Sequence, residues 1–247
     1  MIARILYLFL LYIACLPLRA EHEEFLVNLP EAIKETSARK PVTEFFDKVY
    51  QAIDIKPTYV HLPARRGFLN LRQHKIHAEG YRAQEVGQRE FGDLYRINIP
   101  LASVRIGIFC LNKTSCTISA DQTYAIQRSF EHGQAICEQL AITCKYEQSQ
   151  GAITKLLYRN VVDAVISPYP AYESYLCRSR HPVAYFKELS DYAFTIYHYT
   201  NLRDDEMRRR LEDALGKSLN ESPSPFAVFY ADPSLAVCGK IIKEVIS

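Results

Sequence analysis

Short segments rich in β-branched and aromatic residues alternate along this chain with segments whose apolar residues recur at helical spacing. Residues 58–62 have strand composition, and Pro63 after them suits the first position of a helix, where a missing N–H costs nothing. This alternation predicts α/β units with largely parallel sheets. The predicted strands are 25–28, 58–62, a segment ending at Arg82, 94–100, 104–110, 124–130, 143–147, 161–167 and 191–200; the predicted helices cover 42–53, 63–75, 133–141, 151–157 and 202–215, with a last helix near the end of 222–247.

The first twenty residues differ in composition from the rest. Arg4 is followed by an apolar run over residues 5–15 and by a possible cleavage point after Ala20, which predicts a secretory signal peptide over residues 1–20. The run is too short to span a bilayer comfortably. The alternative is a lipoprotein anchor at Cys15. Either interpretation places the mature chain outside the cytoplasm, in the periplasm if the cell is a bacterium.

Composition and charge exclude several classes of protein. The 247 residues suffice for one large domain or two lobes, and 48% hydrophobic with 23% charged residues is a globular balance. Beyond residue 20 the chain carries 28 basic and 28 acidic residues. A neutral chain offers no electrostatic case for binding nucleic acid or an anionic membrane surface.

Six cysteines lie beyond the predicted leader, an even number that fits disulfides in an oxidising compartment. Two pairs are close enough in sequence to close small loops. A third pair would then join distant segments. Buried reduced thiols are the alternative. The favoured pairs are Cys110 with Cys116, Cys137 with Cys144, and Cys177 with Cys238.

Residues 59–82, which combine a strand, a Pro–Arg turn, a helix and a second strand, resemble the N-terminal lobe of bacterial family 3 extracytoplasmic solute-binding proteins. Residues 151–166 are similar to a segment of the family's second lobe, and Tyr197-His198 stands where many members have Tyr-His in the returning strand. The chain departs from the family at His77-Ala78, where Asp-Gly is usual. That departure leaves the specificity for amino acids open.

The resemblance implies a type II periplasmic-binding-protein-like fold, with two α/β lobes joined by two crossing strands. It assigns residues 21–103 and 198–247 to an N-terminal lobe and residues 104–197 to a C-terminal lobe. It also implies a monomer without catalytic residues or cofactor, which closes on a small polar solute and presents it to an ABC permease or a sensor. The alternatives are a secreted enzyme on the same scaffold and a ligand-free interaction protein.

Ligands of open α/β sheets lie at the carboxyl ends of the strands. Arg65 matches the family's arginine after the Pro turn and Arg82 its arginine after the second strand, and guanidinium groups bind carboxylates through paired hydrogen bonds. Glu79 is a further ligand-binding candidate. For Arg65 an internal ion pair with Glu79 is the alternative, and Arg66 is expected on a solvated helix face. In the second lobe the candidates follow predicted strands; they are Ser129, Glu131, His132, Ser167, Tyr169 and Tyr172.

The histidines suggest a metal site only weakly. His74 and His77 are spaced H-x-x-H, and His61 and Glu79 could add ligands. This spacing lacks the H-E-x-x-H pattern of zinc enzymes, so no metal is expected. The sequence contains neither a G-x-S-x-G motif nor a Walker loop.

Overall fold

The chain folds into two α/β lobes, each built on one mixed sheet. The computed structural model describes residues 24–34, 36, 38–84, 94–130, 132–171, 175–177, 180–221, 225–226 and 240–245. The predicted signal peptide, Glu131, Tyr172 and Cys238 lie outside these residues. The predicted bilobed α/β fold is confirmed.

Lobe 1 contains a five-stranded sheet with the strand order β2-β1-β3-β10-β4. Strands β1, β2 and β3 are parallel, and β10 is antiparallel to both of its neighbours. Helices α1 and α5 pack on one face of this sheet and α2 packs on the other. The elements are β1 (Phe25–Asn28), α1 (Arg39–Gln51), β2 (Pro57–Val60), α2 (Ala64–Arg72), β3 (Ala78–Ala83), β4 (Tyr95–Val104), β10 (Phe194–Thr200) and α5 (Asp205–Leu219).

Lobe 2 contains a six-stranded sheet with the strand order β11-β9-β5-β8-β6-β7. Here β5 is antiparallel to both neighbours, whereas the remaining pairs are parallel. Helix α3 packs on one face and α4 on the other. The elements are β5 (Ile106–Cys110), β6 (Thr123–Gln127), α3 (Gly133–Gln139), β7 (Thr143–Glu147), α4 (Gln150–Tyr158), β8 (Ala164–Pro168), β9 (Val183–Glu188) and β11 (Ile241–Glu244).

The chain crosses between the lobes three times: from β4 to β5 at Arg105, from β9 back to β10, and between Phe226 in the lobe 1 core and β11 of lobe 2. Each of the first two crossings leads directly into the antiparallel strand of the lobe that it enters. Phe194, the first residue of β10, packs against the cores of both lobes. The Arg105 guanidinium donates to Glu188 at the end of β9 (Nε to Oε2, 2.9 Å) and to Glu244 of β11 (Nη2 to Oε1, 2.5 Å). These contacts fix the first crossing to the edge of lobe 2.

The C-terminal segment differs from the sequence-based expectation. Residues 241–244 were expected in a helix of lobe 1, but they form β11, which pairs in parallel with β9 of lobe 2. The assignment of residues 198–247 as a whole to the N-terminal lobe is therefore wrong at its end. Ile242 is buried in the lobe 2 core while Ile241 is exposed, which is the alternation of an edge strand. Four residues are too few for periodicity to distinguish strand from helix.

Both short-range disulfides are formed as expected. Cys110 pairs with Cys116 and Cys137 with Cys144, at Cα–Cα distances of 5.5 and 6.3 Å. Cys177 is also disulfide-bonded. Its pairing with Cys238 stays a prediction.

No helix in the described ranges is both long enough and apolar enough to cross a membrane.

Candidate functional site

The carboxyl end of β1 in lobe 1 faces the carboxyl end of β8 in lobe 2, and we call the region between the lobes at these ends the cleft. In lobe 1, β1 leads into the short 3₁₀ helix Glu31–Ile33, and in lobe 2, β8 leads into the 3₁₀ helix Tyr169–Ala171. These two turns lie against each other, with Cα atoms within 8 Å. Because loops at strand carboxyl ends commonly carry ligand-binding groups, this cleft is the candidate site.

A buried polar network forms the lobe 1 side of the cleft. The Asn28 amide donates to both oxygens of the Glu79 carboxylate, at 3.0 and 2.8 Å. Glu79 Oε1 also accepts from Arg82 Nη2 at 2.8 Å. Asn28 and Glu79 are fully buried and Arg82 is 9% exposed. Since Asn28 pairs with Glu79 in the register of β1 and β3, Arg82 lies beyond the end of β1, toward the cleft.

An irregularity in β3 brings Glu79 and Arg82 to the same face of the sheet. In a regular strand, residues three apart point to opposite faces. Here Arg82 lies opposite Tyr197 and Glu79 opposite Tyr199, so two residues of β3 face the single residue His198. Such a bulge re-aims the side chains that follow it.

The His198 imidazole holds the bulge in place. Its Nδ1 donates to the Gly80 carbonyl at 3.0 Å, so its Nε2 must accept from the Tyr50 hydroxyl, which lies 2.9 Å away. Burial lowers the pKa of His198 to about 4, and burial raises the pKa of Tyr50 well above its usual value. The pair is therefore neutral at physiological pH.

Helix α2 covers the network from the other side. A Cβ atom at Gly67 would lie 2.4 Å from Asn28 Nδ2 and 2.4 Å from Glu79 Oε2, so this close approach requires glycine. The Phe68 ring lies under the Arg82 guanidinium at 5.0 Å. Arg65, on the first turn of α2, is exposed, and the ion pair of Glu79 is made by Arg82. Glu79 is thus the buried partner of Arg82.

At the edge of the cleft, His61 follows β2. Its Nδ1 donates to the Leu29 carbonyl at 3.0 Å, and burial lowers its pKa. The Leu62 N–H donates to Asn28 Oδ1 at 2.8 Å. The loops after β1 and β2 are therefore joined directly to the buried network, and their positions depend on it.

Ser129 and His132 are two of the sequence-predicted candidates on the lobe 2 side of the cleft. Ser129 is exposed in the turn between β6 and α3. His132, which precedes α3, stacks on Phe194 with ring centroids 4.9 Å apart and an interplanar angle of 11°. Phe194 is the first residue of β10, which carries the chain back to lobe 1. The stacking of His132 on Phe194 therefore joins lobe 2 to this crossing.

Ser167 and Tyr169, the other two candidates, point into lobe 2. Ser167 Oγ donates to the Pro168 carbonyl at 3.2 Å and accepts from the Tyr175 hydroxyl at 3.5 Å. Burial raises the pKa of Tyr175 to about 12. The Tyr169 ring is fully buried against Phe186, at a centroid distance of 5.1 Å. In this arrangement both side chains support the turn that faces lobe 1.

The sequence-based list omitted Asn28, Gly67 and His198. Asn28 had a detectable signal, because it ends an otherwise apolar strand, where a polar side chain needs a buried partner. His198 was noted only through the family resemblance. Gly67 lies in a helix interior, where glycine is unfavourable unless a close approach requires it.

The candidate metal ligands are not brought together. His61 donates to Leu29, His77 Nδ1 accepts from the Leu26 N–H at 3.0 Å, and Glu79 is engaged by Arg82. No group of three potential metal ligands occurs in the part of the chain that the structure describes.

Neither a protein-family model nor a curated protein matches this sequence. Solved structures do match its fold. The GluR0 ligand-binding core in complex with L-glutamate superposes with a TM-score of 0.68 at 11% identity, covering 85% of this chain and 98% of that one.

Two further matches are bacterial. The amino acid ABC transporter substrate-binding protein AbpA of Streptococcus pneumoniae, bound to L-arginine, has a TM-score of 0.63 at 10% identity and covers 84% of this chain and 92% of its own. The periplasmic VFT2 domain of Bordetella pertussis BvgS has a TM-score of 0.62 at 11% identity and covers 83% and 92%. At these identities the likeness shows the fold, which is the one implied by the resemblance to family 3 solute-binding proteins.

Proposed function

We propose that this protein binds a small polar solute, an amino acid or a similar molecule, in the cleft between its lobes and closes around it. The observation that carries this proposal is the facing arrangement of strand carboxyl ends in two lobes, each with its own sheet, that are joined by chain crossings. Such an arrangement supports closure by rotation about the crossings. A solute that contacts both lobes favours the closed state by its differential affinity.

In lobe 1 we assign the solute's carboxylate to Arg82, with Arg65 at the rim. A guanidinium binds a carboxylate through paired hydrogen bonds, and Glu79 Oε1 accepts from Arg82 Nη2 at 2.8 Å. Glu79 and Asn28 hold Arg82 in one orientation, and such preorganisation reduces the entropy lost on binding. In lobe 2 the proposed contacts are Ser129 and His132, while Ser167 and Tyr169 support the turn that faces lobe 1.

The cellular setting is part of the same proposal. A leader over residues 1–20 would export the chain to the periplasm, where the disulfides Cys110–Cys116 and Cys137–Cys144 form readily. There the closed, monomeric protein would deliver its solute to an ABC permease or a sensor. The protein would act by binding, without chemical change of the solute.

A thermal-shift screen of amino acids and small organic acids, followed by calorimetry, tests this proposal. A solute that binds only the native state raises the melting temperature. We expect one chemical class to do so with one-to-one stoichiometry, and mass spectrometry to recover it unchanged. No shift with any compound, or a chemically altered solute, would contradict the proposal.

Neighbouring arginines on α2 provide a matched test of the rim contact. Arg65→Gln is expected to lower the affinity for the solute about tenfold, which is the effect of losing one hydrogen bond to a charged group. Arg66→Gln, at the next and also exposed position of α2, should leave the affinity unchanged. Equal affinities for the two variants would remove Arg65 from the site.

A further inference from the structure

The first crossing between the lobes consists of a single residue, Arg105. Strand β4 ends at Val104 and β5 begins at Ile106. Val104 is buried in the lobe 1 core and Ile106 is buried in the lobe 2 core. The two chain neighbours of Arg105 are therefore fixed in different lobes.

The other two crossings are longer. Residues 189–193 join β9 to β10, and the third crossing runs from Phe226 to Lys240. A longer link can adjust the distance between its ends, whereas one residue between two fixed neighbours has a constant span. The axis of any rotation between the lobes must therefore pass close to Arg105, whose backbone dihedral angles take up the change.

The side chain of Arg105 is bound to lobe 2. Its Nη2 donates to Glu188 Oε2 at the end of β9 and to Glu244 Oε1 of β11, both at 2.5 Å. We call these three residues the hinge cluster. Burial lowers the pKa of Arg105, but its hydrogen bonds and charge interactions with the two carboxylates outweigh burial and raise the pKa. Because the Arg105 side chain is only 18% exposed, solvent screens these interactions less than it would at an open surface.

Arg105 also holds the turn of lobe 2 that faces lobe 1. Its backbone carbonyl accepts from the Tyr169 N–H at 2.7 Å, and its guanidinium lies 5.4 Å from the centre of the Tyr169 ring. Tyr169 begins the 3₁₀ helix Tyr169–Ala171, which lies within 8 Å of the lobe 1 turn Glu31–Ile33. One residue thus contacts both the ion cluster at the crossing and the turn beside the cleft.

We propose that Arg105 is the positioning residue of lobe closure: the chain bends on its lobe 1 side, next to Val104, while the hinge cluster keeps Arg105 and the Tyr169–Ala171 turn fixed to lobe 2. Rotation at this pivot moves the turn as part of lobe 2. Glu244 gives the C-terminal strand β11 a part in the mechanism. The role in solute binding rests on the function proposed above, whereas the position of the pivot does not.

Loss of the hinge cluster should widen the range of lobe orientations. Without it, the chain can bend on both sides of Arg105. Since the turns Glu31–Ile33 and Tyr169–Ala171 already lie close together, the added freedom mainly opens the cleft. A solute then has to order a broader set of orientations, which weakens its binding.

Small-angle X-ray scattering of the full chain without solute tests the proposal. Glu188→Gln/Glu244→Gln removes both negative charges with little change in side-chain volume, and we expect a larger radius of gyration than in the parent chain. Arg105→Lys keeps the positive charge but loses the fork geometry of the guanidinium, so its value should be intermediate. Lys243→Gln, at the exposed position beside Glu244, is the control and should scatter like the parent.

Hydrogen exchange in the same preparations distinguishes a positioning role from a general loss of stability. In the Glu188→Gln/Glu244→Gln variant the Tyr169 N–H should exchange about tenfold faster, and the amides of β6 should be unchanged. Faster exchange throughout lobe 2 would mean that the hinge cluster only stabilises this lobe, and it would overturn the proposal. An unchanged radius of gyration in this variant, or an equal increase in Lys243→Gln, would overturn it as well.

These two measurements use no solute, so the proposed function and the pivot can fail separately. If the thermal-shift screen finds no solute, scattering and exchange still decide the pivot. Any compound that the screen identifies should dissociate about tenfold faster from the Glu188→Gln/Glu244→Gln variant in stopped-flow measurements. Equal dissociation rates would contradict the positioning role of Arg105 and leave solute binding itself in place.

Discussion

The two lobes share one layout but are stabilised by different means. Each has a mixed sheet with helices on both faces. In each sheet the antiparallel strand directly follows a crossing of the chain from the other lobe. Lobe 1 has buried polar groups at its centre: Glu79 with Arg82, and His198 with Tyr50. Lobe 2 has disulfides and an aromatic core around Phe186. The comparison shows that similar folds can be stabilised by interactions that respond differently to pH and to reduction.

The largest expected effect is in the lobe 1 network. Glu79→Ala removes the carboxylate that Arg82 and Asn28 share and breaks a buried ion pair, which costs about 3–5 kcal/mol. Urea unfolding measures this loss. Glu44→Ala is the control, because its ion pair with Lys40 is exposed and contributes at most about 1 kcal/mol. Similar losses for the two variants would show that the network does not stabilise lobe 1.

Acid should destabilise lobe 1 through His198. The pKa of His198 is about 4 in the folded chain and about 6.5 in the unfolded chain. Between these two pH values the unfolded state binds a proton that the native state does not bind, which favours unfolding. The stabilisation is complete above pH 6.5 and is lost as the pH falls through 4. Across this pH range the free energy of unfolding falls by about 3 kcal/mol.

Urea unfolding at pH 7.5 and 4.5 measures this dependence. His198→Leu removes the titrating group, so its stability should change less between the two pH values, although it starts lower because Gly80 and Tyr50 lose their partner. An unchanged pH dependence in this variant would assign the acid sensitivity to other groups.

Lobe 2 should depend on its disulfides. The Cys137–Cys144 bridge joins α3 to β7 over a sequence separation of 7, and closing so short a loop stabilises by about 2.5 kcal/mol in the chain-entropy account. In the Cys137→Ala/Cys144→Ala variant, hydrogen exchange should accelerate in β6 and β7 and remain unchanged in β1 and β3. Acceleration spread evenly over both lobes would mean that they unfold as one unit.

The smallest effects concern one helix cap in each lobe. Asp204 caps α5 of lobe 1, and Ser149 caps α4 of lobe 2 by accepting from the Ala152 N–H at 3.2 Å. Alanine at either position should cost about 1 kcal/mol. The Asp204 variant should lose more, since it gives up two hydrogen bonds and a charge at the positive helix end. Calorimetric melting temperatures rank the two, and the reverse order would contradict this comparison.

Much of the fold could be predicted from local sequence. The spacing of Val42, Phe45, Phe46 and Val49 predicted α1, and Pro63 predicted the start of α2. Both short-range disulfides were predicted because their cysteines are neighbours along the chain. The sequence did not predict β9. It predicted a helix where β11 lies, since four residues are too few for periodicity to distinguish a strand from a helix.

The candidate site was less predictable. The sequence analysis names both Arg82 and Glu79, but it offers Glu79 as a possible ion-pair partner of Arg65. In a regular strand residues 79 and 82 would point to opposite faces. The bulge at Gly80 reverses that geometry, and His198, 118 positions along the chain, holds it. The burial of Ser167 and Tyr169 likewise depends on Tyr175 and Phe186, which local pattern does not place beside them.

By itself the sequence determined most of the strands and helices and which nearby cysteines can pair, and its resemblance to family 3 solute-binding proteins implied the two-lobed fold. These properties follow from residue periodicity, turn chemistry and the order of short motifs, all of which act over a few residues. Only the tertiary structure decided that Glu79 holds Arg82 and that β11 completes lobe 2. Those outcomes depend on strand register and on the packing of distant elements, where a shift of one residue changes the face on which a side chain lies.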